Sequence, residues 1–279
     1  MLLFQRARQA GAEALEGVHV TDIRWDGHWD VETQAVDGRP ASNFTARYLV
    51  GADGRNSFVA RKLAEMERAP VVSQRRKLTG ARRVGVQWRT HYQPQIGRSV
   101  EMYLFKTGYG GIVNVDEERA TVAMVTTPQL ARVAQIDLHR FVQSTLFANA
   151  APRTGLDILR PVGTVSSASP INPTAHHHKH HAAFLAGDAR QTVEPFSGEG
   201  VFFALQDGVS TARRLLALIQ CRSSVRLDDQ RSRFWINRVV SPILQRSNVS
   251  DRLVAIGRQL PMLASLAAKP IMARISFSQ

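Results

Sequence analysis

Cysteine is almost missing from this chain: Cys221 is the only one in 279 residues. A lone thiol excludes an internal disulfide and fits a reducing compartment. Long apolar runs are also missing. None approaches the roughly 18 consecutive residues that a membrane-spanning helix needs. The N-terminus, MLLFQRARQAGAEAL, lacks the basic, apolar and small-residue zones of a secretion signal, so a cytoplasmic location is expected. Acidic residues are scarce, 23 against 36 Lys and Arg, which leaves a net charge of +13. Arginine accounts for most of the excess and is scattered, not blocked. That pattern reads as a solvated surface, and no nucleic-acid partner is expected. No internal repeat or low-complexity tract is present. What remains is a 44% hydrophobic composition, enough for one large domain or two modest ones.

The most informative stretch is Ala183–Leu216, AFLAGDARQTVEPFSGEGVFFALQDGVSTARRLL. Ala183–Ala186 is a short apolar run suited to a buried strand, closed by Gly187-Asp188. Pro195 and Ser197-Gly198-Glu199-Gly200 follow as a loop. Val201, Leu205, Val209, Ala212, Leu215 and Leu216 then recur at helical spacing. A carboxylate at a strand's C-terminal end can accept hydrogen bonds from ligand hydroxyls. A glycine-flanked helix start presents backbone N–H groups and a positive dipole end to negative charge.

These residues resemble the second flavin fingerprint of the FAD-dependent oxidoreductase and monooxygenase superfamily, which includes aromatic hydroxylases, geranylgeranyl reductases and flavin-dependent halogenases. The matching positions are Gly187-Asp188, Pro195, Gly198-Glu199-Gly200 and Leu205-Gln206-Asp207. The resemblance implies that Asp188 hydrogen-bonds the ribityl chain of FAD and that Pro195 lies beside the flavin ring. It also implies that the N–H groups around Gly198, Glu199, Gly200 and Val201 face the ring's N1/O2 edge, where reduced flavin carries negative charge.

Taken in order, Leu2–Ala10 reads as an amphipathic helix stopped by Gly11. Ala14–Val20, Thr21–Trp25, Trp29–Gln34 and Phe44–Val50 read as strands, with turns at Asp26-Gly27 and Asp37-Gly38. The last strand runs into Ala52-Asp53-Gly54-Arg55-Asn56-Ser57, followed by Arg61. This is similar to the Asp-Gly motif of the same superfamily, and the resemblance implies that Asp53 and Gly54 hold the ribose–pyrophosphate region and influence access of NAD(P)H, the electron donor. By residue type alone, Gly54 allows a tight turn, Asn56 or Ser57 can cap the next helix, and Arg61 can pair with Asp53 or a phosphate.

Ala81–Tyr92, Arg98–Lys106, Gly110–Val115 and Arg119–Thr127 read as four strands of an antiparallel sheet. The resemblance makes this a substrate domain whose strand at Tyr109 and Gly111 approaches the ring. Glycines there either admit a ligand or form a bulge. Helices are expected at Pro128–Ala134 and Asp137–Asn149, and a returning strand within Leu159–Ala168. His176, His177, His178, His180 and His181 lack a carboxylate or thiol to complete a metal geometry, and no functional metal site is expected. Leu227–Arg246 and Asp251–Ala268 read as helices with one apolar and one Arg-rich face. Packing is the expected role, with a tunnel lining or peripheral contact with an anionic membrane as alternatives.

The expected fold is α/β, or α+β: a partial FAD-binding Rossmann-like domain of the hydroxylase type (1–64 and 159–219), an inserted antiparallel substrate sheet (65–158) and C-terminal helices (220–279). Gly-x-Gly-x-x-Gly, the usual pyrophosphate-binding turn of such folds, occurs nowhere in the chain. The resemblance therefore covers the later part of a complete family member. The expected activity is that of an FAD-dependent oxidoreductase acting on a small apolar organic substrate. The alternative is a non-catalytic remnant, or a subunit that takes its N-terminal FAD-binding piece in trans. Val201-Phe202-Phe203-Ala204-Leu205 is closer to geranylgeranyl reductases than to hydroxylases, whereas Gly111-Ile112-Val113-Asn114 lacks the tryptophan-containing element of reductases and halogenases. Catalytic residues are not legible.

Overall fold

A computed structural model describes residues 2–36, 42–67, 83–93, 97–105, 107–145, 161–171, 174–193, 195 and 198–220. Its elements, in chain order, are α1 (Leu2–Gln9), β1 (Val18–Trp25), β2 (Trp29–Ala35), β3 (Phe44–Ala46), β4 (Leu49–Gly51), α2 (Phe58–Met66), β5 (Val84–His91), β6 (Val100–Phe105), β7 (Gly108–Asn114), β8 (Arg119–Thr126), α3 (Pro128–Ile136), α4 (Leu138–Thr145), β9 (Ser166–Ala168), β10 (Ala183–Leu185), a 3-10 turn (Gly187–Ala189) and α5 (Gly200–Ile219). The fold is mixed helix and sheet, as expected. The chain divides into two compact units. The first takes Met1–Arg76, Thr174–Thr192 and Gly200–Asp228; the second takes Lys77–Pro173, Val193–Glu199 and Asp229–Gln279.

The first unit holds an antiparallel meander, β1-β2-β3, and a parallel pair, β10-β4. Asp26-Gly27 makes the first turn, with Gly27 at φ 74°. Two strand expectations are corrected. Ala14–Val20 and Thr21–Trp25 are not separate strands: a register shift between Val20 and Asp22 breaks the alternation inside a single β1. An extra residue flips every later side chain to the other face, so one bulged strand reads as two. Conversely, Phe44–Val50 is two strands. β3 pairs antiparallel with β2, while β4 pairs parallel with β10. The second expected turn, Asp37-Gly38, lies outside the described residues.

The core of this unit gathers Ile23 and Trp29 from the meander, Val59, Ala60 and Leu63 from α2, and Ala183 and Leu185 from β10. Trp29 is fully buried, and its Nε1 donates to the Ala182 carbonyl at 2.9 Å. The same carbonyl accepts from Leu49 N at 3.0 Å. One oxygen thus ties the meander to the parallel pair. α2 sits directly on β4: a Cβ at Gly51 would lie 2.8 Å from Val59 Cβ. The histidine run also packs here. His180 lies 4.8 Å from the Trp25 ring and 4.7 Å from Trp29, and stacks on His181 at 5.1 Å. Glu67, just past α2, accepts from the backbone N–H groups of Lys179 and His180.

The second unit is a five-stranded antiparallel sheet in the order β6-β7-β8-β5-β9. Alternation along β5 buries Val84, Val86, Trp88 and Thr90. α3 and α4 add Ala131, Ala134, Phe141 and Val142 to the same core as Val86, Trp88, Ile112, Val122 and Met124. Thr127 caps α3 ahead of Pro128, and the Asp137 carboxylate accepts from Arg140 N at 2.9 Å to start α4. The helices expected at Leu227–Arg246 and Asp251–Ala268 lie outside the described residues.

Trp29→Phe removes one of two donors to the Ala182 carbonyl and is expected to cost about 1–2 kcal/mol. Trp29→Ala is expected to cost about 3–5 kcal/mol. Denaturant unfolding checks both. Burial lowers the pKa of His178 and His180, against the opposing charge of Glu67. Groups depressed in the fold bind fewer protons there than in the unfolded chain. Their contribution is therefore present above the ordinary histidine value, about 6.5, and is lost as pH falls below it through the depressed values. Thermal midpoints are expected to drop between pH 7 and pH 5, with a smaller drop in His180→Phe.

Candidate cofactor site

Parallel pairing makes both strands leave the sheet at the same end. β4 and β10 run in register as Leu49↔Ala183, Val50↔Phe184 and Gly51↔Leu185, and Ala186 N adds a bond to the Gly51 carbonyl at 2.9 Å. β4 exits into Ala52-Asp53-Gly54-Arg55, and β10 exits into the Gly187–Ala189 turn. Two motifs far apart in the chain are thereby brought together. Asp53, Gly54, Gly187 and Asp188 lie at one end of one small sheet.

The β4 exit is organised by Asp53. Its Oδ1 accepts from Ser57 Oγ at 2.6 Å, and its Oδ2 accepts from Phe58 N at 2.6 Å and Val59 N at 3.2 Å. Ser57 is the N-cap of α2, as expected, and accepts from Ala60 N at 2.9 Å. Gly54 holds φ 76°, the left-handed region that a tight turn requires here. Asp53 does not take the Arg61 partnership read from the sequence: its carboxylate serves the helix start, and the Arg61 guanidinium lies 6.0 Å from the Phe58 ring centre. His176 is also near, its pKa lowered by burial and by His177 against the charge of Asp53.

The β10 exit is organised by α5. Gly187 holds φ 60°, and a Cβ there would lie 3.2 Å from Ala204 Cβ, so the turn rests on the second turn of the helix. Asp207 of α5 is buried. Its carboxylate accepts from Gly187 N at 2.8 Å and pairs with Arg190 Nε at 3.1 Å. Burial pushes the Asp207 carboxyl up, while the Arg190 charge and the Gly187 N–H pull it back. Asp207 lies in the fingerprint, but sequence reasoning assigned it no role; the signal was an acidic residue on a mostly apolar helix. Asp188 stays partly open, its side chain 35% exposed, with Arg55 Nη2 at 4.0 Å from Oδ2. α5 begins at Gly200, its first turn carries no acidic residue, and Val201 is exposed. Its amide end presents backbone N–H groups, with Glu199 the acidic residue next to it.

The other expected site residues belong to the second unit. Pro195 and Gly198 are exposed; Gly198, at φ 69°, donates its N–H to the Pro195 carbonyl at 3.0 Å, and Glu199 follows half-buried. Tyr109 is buried with Val125 and Ile171, and the Arg83 guanidinium lies 5.2 Å from its ring centre. A Cβ at Gly111 would meet Met102 Sδ at 2.9 Å, and one at Gly108 would meet the Val125 carbonyl at 1.8 Å. The glycines of β7 thus make room for neighbouring strands and for Met102. Among the described residues no group of three His, Cys, Asp or Glu side chains could hold a metal ion.

Several solved structures share this fold. The Diels–Alderase PyrE3 of pyrroindomycin biosynthesis is similar with a TM-score of 0.69 at 18% identity, over 96% of this chain and 57% of that one. The flavin-dependent halogenase CmlS is similar with a TM-score of 0.59 at 20% identity, over 76% of this chain and 38% of that one. PqsL of Pseudomonas aeruginosa, described as a probable FAD-dependent monooxygenase, is similar with a TM-score of 0.53 at 20% identity, over 80% of this chain and 60% of that one. At these identities the likeness concerns the fold alone, and this chain spans less than two thirds of each of them. No curated protein matches it by sequence. The model of the FAD binding domain family, however, matches residues 1–233, most of the chain, and the chain belongs to that family.

Proposed function

We propose that this chain carries the ribityl-binding and ring-facing part of an FAD-dependent oxidoreductase, of the monooxygenase or C=C reductase type, acting on a small apolar organic substrate. The observation that carries the proposal is the parallel register of β4 and β10, which sets the Asp188 turn beside the Asp53 loop and against α5. The residues fit the cofactor chemically. A half-open carboxylate at a strand end accepts from sugar-alcohol hydroxyls. The amide end of α5, at Gly200 and Val201, suits the negatively charged edge of a reduced ring. Bound FAD supplies the redox chemistry, with NAD(P)H as electron donor. Pro195, Gly198 and Glu199 remain proposed ring-side contacts, and Tyr109 and Gly111 proposed substrate-strand residues. A cytoplasmic location belongs to the same proposal; no described helix is long and apolar enough to cross a membrane.

A second reading, that the site takes a further strand–helix piece, whether in the same polypeptide or supplied in trans, is favoured by one observation. Among the described residues the parallel sheet has two strands, and Val50 on β4 is 39% exposed. Parallel sheets are normally larger and covered on both faces.

FAD titration followed by flavin fluorescence tests the proposal, with and without a strand–Gly-x-Gly-x-x-Gly–helix polypeptide added in trans. Asp188→Ala is expected to weaken FAD binding about 10-fold or more, the loss of a charged acceptor, with the fold unchanged. Asp207→Ala is expected to weaken binding and also to cost about 1–3 kcal/mol of stability, because it strands the Gly187 N–H and Arg190. Flavin uptake indifferent to Asp188 would refute the assignment.

A further inference from the structure

We propose that Arg55 is a positioning residue for Asp188: its guanidinium holds that carboxylate in the orientation that receives the ligand's hydroxyl chain, a role that rests on the cofactor site proposed above. The acidic residue of the Asp53-Gly54 pair is committed elsewhere. Both Asp53 oxygens are taken by Ser57 Oγ, Phe58 N and Val59 N at the start of α2. Of this loop, the group that reaches the β10 turn is Arg55, placed after the left-handed Gly54 and 26% exposed.

The Asp188 backbone and side chain are held by different groups. The backbone is pinned from below: Asp207 takes the Gly187 N–H, and the Gly187 carbonyl accepts from Arg190 N at 3.0 Å and Gln191 N at 2.9 Å. The side chain faces Arg55, with Nη2 at 4.0 Å from Oδ2. That separation is a charge contact rather than a hydrogen bond, so it draws the carboxylate toward Arg55 while leaving its acceptor positions to ligand hydroxyls. A partly solvated pair of this kind contributes little to folding. The pair with Asp188 therefore acts in ligand binding more than in stability, and the Asp53 oxygens are held by donors other than Arg55.

The test is equilibrium titration of the full chain with riboflavin and with FAD, read by fluorescence, in wild type, Arg55→Ala, Arg55→Lys, Asp188→Ala and the double variant. Riboflavin carries the hydroxyl chain without phosphates. Arg55→Ala is expected to weaken both ligands by the same factor, about 2- to 5-fold, with the thermal midpoint of each variant measured alongside. Arg55→Lys is expected to recover part of the loss. In the Asp188→Ala background, removing Arg55 is expected to change nothing further. A loss confined to FAD would place Arg55 on the phosphates and overturn the proposal, as would an additive double variant. Sensitivity to Asp188 without sensitivity to Arg55 overturns the positioning role alone. Insensitivity to Asp188, or a wild-type chain that binds neither ligand even with the strand–Gly-x-Gly-x-x-Gly–helix polypeptide added, overturns the cofactor site and this role together.

Discussion

Everything in the first unit depends on the three-residue parallel pairing of β4 with β10. So short a ladder has few hydrogen bonds of its own, and it is held by what surrounds it. The Ala182 carbonyl accepts from Leu49 N within the ladder and from Trp29 Nε1 of the meander. The missing Cβ of Gly51 lets Val59 of α2 close against the strand. On the far side, buried Asp207 fastens α5 to the turn that β10 enters. A sheet, a helix start and a helix side thus converge on one strand end, and the carboxylate of Asp188 is what they leave accessible.

Charge is used in two ways. At or near the surface, basic residues pair with acids: Arg24 with Asp22 and Glu32, Lys62 with Asp22, Arg119 with Asp116. Lys62 and Arg24 lower the Asp22 carboxyl, and Asp22 raises Lys62 in return, yet exposed pairs of this type contribute little. Asp207 differs. It is buried, its pKa is raised by burial, and it is compensated by one backbone donor and one arginine. Removing one partner of a buried set leaves the other desolvated, which is why this carboxylate matters more than the many surface charges.

Much of the secondary structure was legible because local rules governed it. β5 alternates cleanly, Ser57 caps α2 where a capping residue is expected, and Gly27 and Gly54 turn the chain with left-handed φ. The failures share a cause. β1 looked like two strands because a bulge resets its period, and β3–β4 looked like one because strand type does not reveal the partner. The packing of the histidine run was not legible either: His180 and His181 lie against Trp25 and each other, and Trp25 comes from a strand far away in the chain.

By itself the sequence determined the family and picked out two candidate motifs, Asp53-Gly54 and Gly187-Asp188 with its glycine-rich helix start, because backbone geometry at turns and helix ends selects particular residue types locally. Only the tertiary structure decided which acid does what. Asp53 is spent on capping α2, Asp207 on fixing a turn, and Asp188 is left open beside Arg55. A carboxylate has the same chemistry in all three places. Its role is set by which donors the fold brings within hydrogen-bond distance and how much water it removes, and neither quantity is written in the order of residues.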